Sequence, residues 1–255
     1  MPTWDRMLAS DRMLTSDRIL GGRVRYIQPR DGLRVTTDPV LLAASIPASA
    51  SDRVLEGGTG AGAALLCLAA RVPGISGVGV DKDFSLIRLA HANVAENGFA
   101  GVSFVVGDLA ASPVGPPFDH AFANPPYHPV RGTPSPSASR DAAKRSASGF
   151  LPIWIEALSH PLRHRGTLTL LLPPSFLEDA LKSMRDRGVP AECVFPVRSK
   201  EGAPARLVLI QGRKNGRAPL VLASGLTLHT ETGAYRSEAE AVLRDGAGLP
   251  MRPDI

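Results

Sequence analysis

Cysteine is scarce in this chain: Cys67 and Cys193 are the two among 255 residues, and both stand inside apolar segments. Their placement excludes a disulfide framework and suits buried, reduced thiols. Neither has metal-ligand spacing to other residues, so no metal site is expected. Long apolar runs are missing too. Hydrophobic residues make up 44% of the chain, yet no uninterrupted stretch approaches the roughly eighteen residues of a membrane span. A soluble protein with no membrane association is expected. From Met1 to Leu20, Asp-Arg pairs alternate with short apolar pairs, which lacks the basic-then-apolar order of a secretory signal and points to the cytoplasm. A large charge excess is absent as well, because 29 Lys and Arg face 24 Asp and Glu for a net charge of +5. Such a balance is compatible with an acidic partner such as nucleic acid without demanding one.

The cations are clustered. Arg131, Arg140, Lys144, Arg145, Arg163 and Arg165 are opposed between Tyr127 and Arg165 only by Asp141 and Glu156. Arg198, Lys200, Arg206, Arg213, Lys214 and Arg217 form a second group around Glu201. Either is a solvated surface or a nucleic-acid contact.

The first residues hold a near-repeat: Asp5-Arg6-Met7-Leu8-Ala9-Ser10, then Asp11-Arg12-Met13-Leu14-Thr15-Ser16, then Asp17-Arg18-Ile19-Leu20. A period of six drifts around a helix and builds no apolar stripe, so residues 1–19 read as a weakly structured extension. Alternation in Arg23 to Ile27 and Leu33 to Val35, around Asp31-Gly32, predicts a hairpin. Asp38-Pro39-Val40 opens a short helix with Asp38 as its cap. Strand patterns then recur at Arg53 to Glu56, Gly77 to Asp81, Val102 to Val106, Asp119 to Ala123, Thr167 to Leu172, Glu192 to Val197 and Arg206 to Gln211. Helical patterns at Ala61 to Arg71 and Asp83 to Asn97 separate the first of these. The alternation predicts an α/β fold with a seven-stranded, mainly parallel sheet covered by helices on both faces. Ligands bind such sheets at the carboxyl ends of the strands. Val130 to Gly149, rich in Pro, Ser, Ala and Arg, has no period and reads as an irregular insertion.

Four features fall at successive strand ends. Glu56-Gly57-Gly58-Thr59-Gly60-Ala61-Gly62 links the first strand to the first helix, with glycines that let a ligand approach the backbone. Gly58, Gly60 and Ala63 with Asp81 also satisfy a loose dinucleotide fingerprint, which leaves a nicotinamide oxidoreductase open at this point. Glu56 places a carboxylate where it could orient an amino-acid-like ammonium. Asp81 closes the second strand, where it could accept ribose hydroxyls, and Asp108 ends the third. Taken singly, each acid reads equally as a loop residue or helix cap. The fourth strand ends in Asn124-Pro125-Pro126-Tyr127, where two prolines hold Asn124 and the Pro125 carbonyl in a stiff, non-regular turn.

Three acids followed by Asn-Pro-Pro-Tyr resemble the class I S-adenosylmethionine-dependent methyltransferases that modify amino groups, with their Rossmann-like fold. The resemblance implies S-adenosylmethionine as cofactor, held by Glu56, Gly58, Gly60, Gly62, Asp81, Asp108 and Asn124. It implies that the Asn124 side-chain oxygen and the Pro125 carbonyl accept the two N–H groups of a conjugated amine, while Tyr127 stacks on its plane. A nicotinamide fold has no need of that turn. Leu20-Gly21-Gly22-Arg23, Gln28-Pro29, Gly32 and Thr37-Asp38-Pro39-Val40-Leu41-Leu42-Ala43, with Leu226-Thr227-Leu228-His229 and Tyr235, are similar to bacterial valine-tRNA adenine-37 N6-methyltransferases. That resemblance spans Leu20 to Gly246 and implies tRNA as partner, with Arg131, Arg140, Lys144 and Arg145 beside Tyr127 as substrate-binding groups. Its domain reading is a single methyltransferase domain over 20–255: hairpin and helix at 20–50, catalytic core at 51–215, and closing strand and helix at 216–255. Two residues depart from the family pattern: Gly57 stands at a usually apolar position, and Glu56 where Asp is commoner. Two alternatives stay open, a glutamine N5-methyltransferase of release factors and an RNA-binding protein that keeps the fold without turnover.

Overall fold

The computed structural model describes residues 14–30, 34–111, 115, 117–126 and 138–251, with the backbone alone for 138–148. Two N-terminal strands, β1 (Leu14–Ile19) and β2 (Val24–Pro29), form an antiparallel hairpin. Helix α1 (Asp38–Ser45) leads into β3 (Arg53–Gly57), α2 (Ala63–Arg71), β4 (Ser76–Asp81), α3 (Phe84–Asn97), β5 (Val102–Val106) and β6 (Phe118–Ala123). The second half runs α4 (Ala138–Ser159), β7 (Leu162–Leu172), α5 (Leu177–Asp186), β8 (Ala191–Lys200), β9 (Ala205–Arg213), β10 (Val221–Leu222), β11 (Leu226–His229) and α6 (Ser237–Leu243).

The main sheet has the order β10-β8-β9-β7-β6-β3-β4-β5, with β11 also on β8. It is parallel from β7 to β5, while β9 runs antiparallel to both β7 and β8. Central strands carry near-continuous apolar residues because helices cover both faces. Val54, Leu55, Ala121, Phe122, Leu168 and Leu170 are fully buried. One hydrophobic cluster gathers α1, α2, α3 and α6 on one face, and the other gathers α4 and α5 on the opposite face. Among the described residues no helix is long and apolar enough to cross a membrane.

Helix α3 shows how local chemistry sets a boundary near the site. Asp83 Oδ1 accepts from the Ser85 and Leu86 amides at 2.8 and 3.3 Å, and Gly98 ends the helix at φ 69°. A side-chain cap of this kind contributes about 1 kcal/mol. It fixes where the chain turns after Asp81.

The sequence reading needs five corrections. The hairpin partner of β2 is Leu14–Ile19 and not the segment at Val35, so the end of the second copy and the third copy of the repeat, expected to be weakly structured, form a strand. The turn is made by Leu20, Gly21 and Gly22, all at positive φ, which suits the glycines and reverses the chain tightly. Asp38 is the first helical residue behind Thr37, and its carboxylate pairs with Arg206 Nη2 at 2.8 Å instead of capping. The seven expected strands are joined by β10 and β11, both parallel to β8 along its outer edge, which makes nine. Residues 138–149, read as irregular, belong to α4, where small helix-compatible Ala and Ser obscure the period. Helix α5 was not among the expected elements; Ala180, Ser183 and Met184 form its buried face.

Candidate active site

In the parallel half of the sheet, strand register places the chemistry-bearing residues along one edge. Gly57 pairs with Ala123 and Val80, and Asp81 with Val106. The glycine loop, Asp81, Asp108 and Asn124 therefore all leave the sheet at its carboxyl edge, on four neighbouring strands.

The loop after β3 is held from beneath. Gly58, Gly60 and Gly62 have φ of 63°, 56° and 90°, values that L residues rarely adopt. Thr59 N donates to the Val80 carbonyl at 3.1 Å, and Gly60 N donates to Asp81 Oδ2 at 2.8 Å. A Cβ at Gly60 would meet nothing within 4 Å, so the backbone there faces open space. Asp81 Oδ1 takes the Asp83 amide at 2.9 Å. Each oxygen of Asp81 still has a lone pair for a hydroxyl. Asp108 is exposed, accepts from the Ala110 amide at 3.0 Å, and is tied to β4 by a 2.9 Å bond from Gly107 N to the Asp81 carbonyl.

Glu56 lies deeper. It is 4% exposed, and its Oε2 accepts from Thr59 Oγ1 at 2.6 Å and from Leu65 N at 3.2 Å. Burial lifts its carboxyl to about 8, against the hydrogen bonds from Thr59 and Leu65, which favour the charged form. It holds the loop to the first turn of α2 and is poised to change charge near neutral pH.

Asn124 follows β6 directly, and Pro125 behind it is buried. The Asn124 Oδ1 is buried and has no hydrogen-bond partner among the described residues. Leaving such an acceptor unmet costs about 1–3 kcal/mol. A ligand N–H would remove that cost.

The structure brings together Glu56, Gly58, Gly60, Gly62, Asp81, Asp108, Asn124 and Pro125. Tyr127 and Arg131 lie outside the described residues, as do the side chains of Arg140, Lys144 and Arg145 on α4. The second basic group is divided. Antiparallel β9 carries Arg206 to the carboxyl edge, whereas Arg213 pairs with Glu192 and Lys214 Nζ binds the carbonyls of Ser159, His160 and Leu162 at the other end. Among the described residues no group of three or more His, Cys, Asp or Glu could hold a metal ion. One contributor escaped the sequence reading. Asn93, fully buried on α3, accepts from Ile27 N at 2.6 Å and donates to the carbonyls of Ile27 and Ala61 at 3.0 Å each, joining the hairpin to the glycine loop. A polar residue on the apolar stripe of α3 was the available signal.

The methyltransferase small domain family matches residues 34–141. A tRNA1(Val) (adenine(37)-N6)-methyltransferase of Actinobacillus succinogenes is 30% identical over 220 residues, which is 85% of this chain and 91% of that protein. The chain belongs to this methyltransferase family. A release factor glutamine methyltransferase of Rhodospirillum rubrum is 31% identical over 176 residues, but the match takes in only 53% of that relative. Among solved structures, a predicted O-methyltransferase of Agrobacterium tumefaciens has a TM-score of 0.69 at 21% identity, covering 83% of this chain and 98% of that one. The fold is that of the class I methyltransferases.

Proposed function

We propose that this protein methylates the exocyclic N6 of an adenine in tRNA, of the valine-tRNA position 37 type, using S-adenosylmethionine. The observation that carries the reading is the buried Oδ1 of Asn124, unmet among the described residues, beside the glycine loop. The residues present fit the cofactor: Gly58, Gly60 and Gly62 give close approach, with open space at Gly60. Glu56 would orient the ammonium, Asp81 would accept the ribose hydroxyls and Asp108 would meet the adenine. When bound, the cofactor supplies a methyl group activated by its sulfonium.

An adenine amine is a weak nucleophile because its lone pair is delocalised into the ring. Asn124 Oδ1 and the Pro125 carbonyl accept its two N–H groups and turn the lone pair out of conjugation. Both acceptors gain strength as positive charge grows on nitrogen, so fixed orientation and preorganised polarity supply the catalysis. The surplus proton is acidic once nitrogen is alkylated, and water can take it without a strong base. Tyr127 supplies the stacking face, and Arg131, Arg140, Lys144 and Arg145 the phosphate contacts, on the strength of the family resemblance. The match to a tRNA enzyme over most of both chains favours this reading over release-factor glutamine methylation.

The test incubates the protein with methyl-labelled cofactor and, separately, bulk tRNA and a release factor. Label in the RNA is expected; label confined to the release factor would replace the reading with glutamine methylation.

A further inference from the structure

Gly57 differs from the three glycines that follow it. Gly58, Gly60 and Gly62 need glycine for their positive φ, whereas Gly57 is a strand residue paired on both sides, with no such demand. What excludes a side chain there is packing. A Cβ built at Gly57 lies 2.7 Å from Leu109 Cδ2, closer than carbon atoms approach without displacement, and 3.0 Å from Leu158 Cδ2, a tight contact that a small shift relieves. Next to it, a Cβ at Gly58 would lie 2.5 Å from Trp154 Cη2. Trp154 and Leu158 stand one turn apart on α4, and Leu109 directly follows Asp108.

We infer that Leu109 is a positioning residue for the cofactor: by filling the space that Gly57 leaves empty, it locks the Asp108 turn against the glycine loop. The inference rests on the cofactor roles proposed above for those two segments. Leu158 and Trp154 back the same contact from α4, so the two cofactor-holding segments and the helix form one packed unit. Leu109 also lines a half-open pocket of about 450 Å³ with Ala110, Ile153, Glu156, His160 and Leu162. A side chain added at Gly57 has a way to displace Leu109, which would carry Asp108 with it.

The exchange can be tested at constant carbon count. Gly57→Val adds three carbons and Leu109→Ala removes three, so the pair restores volume while either single change disturbs it. S-adenosylhomocysteine affinity is measured by calorimetry on wild type, both single variants and the pair, with melting temperature alongside. Gly57→Val is expected to weaken binding at least tenfold, and Leu109→Ala at least threefold. The pair should return to within about threefold of wild type, although it holds both changes. Should Gly57→Val fail to fold, Leu109→Ala decides through kinetics: KM for S-adenosylmethionine rises at least threefold while kcat at saturating cofactor holds. Losses that add in the pair, or a Leu109→Ala protein of lower melting temperature with unchanged affinity and KM, overturn the inference. Wild type that binds no S-adenosylhomocysteine overturns the cofactor reading and this inference with it; normal wild-type binding with additive losses overturns this inference alone.

Discussion

Glu56 should make cofactor binding depend on pH. Its carboxyl is raised to about 8 from the ordinary 4.5, first by burial, with a smaller push from Asp81. At pH 7 most of it is therefore protonated before ligand arrives. An ammonium placed against it requires the charged form, so binding expels one proton. Ionising a group one unit below its pKa costs about 1.4 kcal/mol, which is tenfold in affinity. S-adenosylhomocysteine should bind about tenfold tighter at pH 9 than at pH 7, and roughly another tenfold weaker at pH 6. Calorimetry in buffers of different ionisation enthalpy counts the proton directly. Glu56→Gln should abolish both the pH slope and the proton release. Affinity unchanged between pH 6 and 8, with no proton released by wild type, would refute the placement of Glu56 beside the ammonium.

Asn124→Ala should lower single-turnover methyl transfer by about a hundredfold while leaving S-adenosylhomocysteine affinity nearly unchanged, because the lost acceptor works mainly as charge develops; near-normal transfer by the folded variant would remove Asn124 from catalysis. Asn93→Ala breaks three hydrogen bonds, one buried and two part-buried, so chemical denaturation should show a loss of about 2–4 kcal/mol; a loss below about 0.5 kcal/mol would show that the hairpin and loop are held by other means. His120, buried with Nδ1 2.7 Å from Thr167 Oγ1 and Nε2 3.2 Å from Asp52, has its pKa lowered by burial, against Asp52 and Asp119, which favour the cation, and with Arg163 opposing it. The unfolded chain then binds the proton first, so this site's contribution to stability is lost as pH falls below about 6.5. Raised Glu56 has the opposite sign, favouring the folded apo protein below about 4.5 and losing that advantage as pH rises through about 8. Comparing denaturation of wild type and His120→Gln from pH 5 to 8 isolates the first effect; identical slopes would contradict it.

Strand ends were legible because two signals coincide there. β-branched and apolar runs mark β3, β4, β5 and β6, and an acid, glycine loop or proline turn stops each of them near its observed end. Register then follows from parallel pairing, which brings those four strand ends to one edge of the sheet. The hairpin was less legible because Asp17, an acid within a repeat, takes its shortest hydrogen bonds from distant partners, Gln28 Nε2 at 2.6 Å and Arg34 Nη2 at 2.7 Å, beside a local one from Thr15 Oγ1 at 3.2 Å. Asp38 was assigned a local role that tertiary pairing with Arg206 overrides. Gly57 read as an anomaly in one dimension, since the residues that fill its place, Leu109 and Leu158, are remote in sequence.

The most direct measurement is the identity of the methylated product. Bulk tRNA is incubated with the protein and methyl-labelled S-adenosylmethionine, repurified, digested to nucleosides and separated against standards. The account predicts that the label co-migrates with N6-methyladenosine, and that the Asn124→Ala protein, folded and cofactor-binding, leaves that peak about a hundredfold smaller in the same time. Label in any other nucleoside, or an N6-methyladenosine peak unchanged by Asn124→Ala, would contradict it.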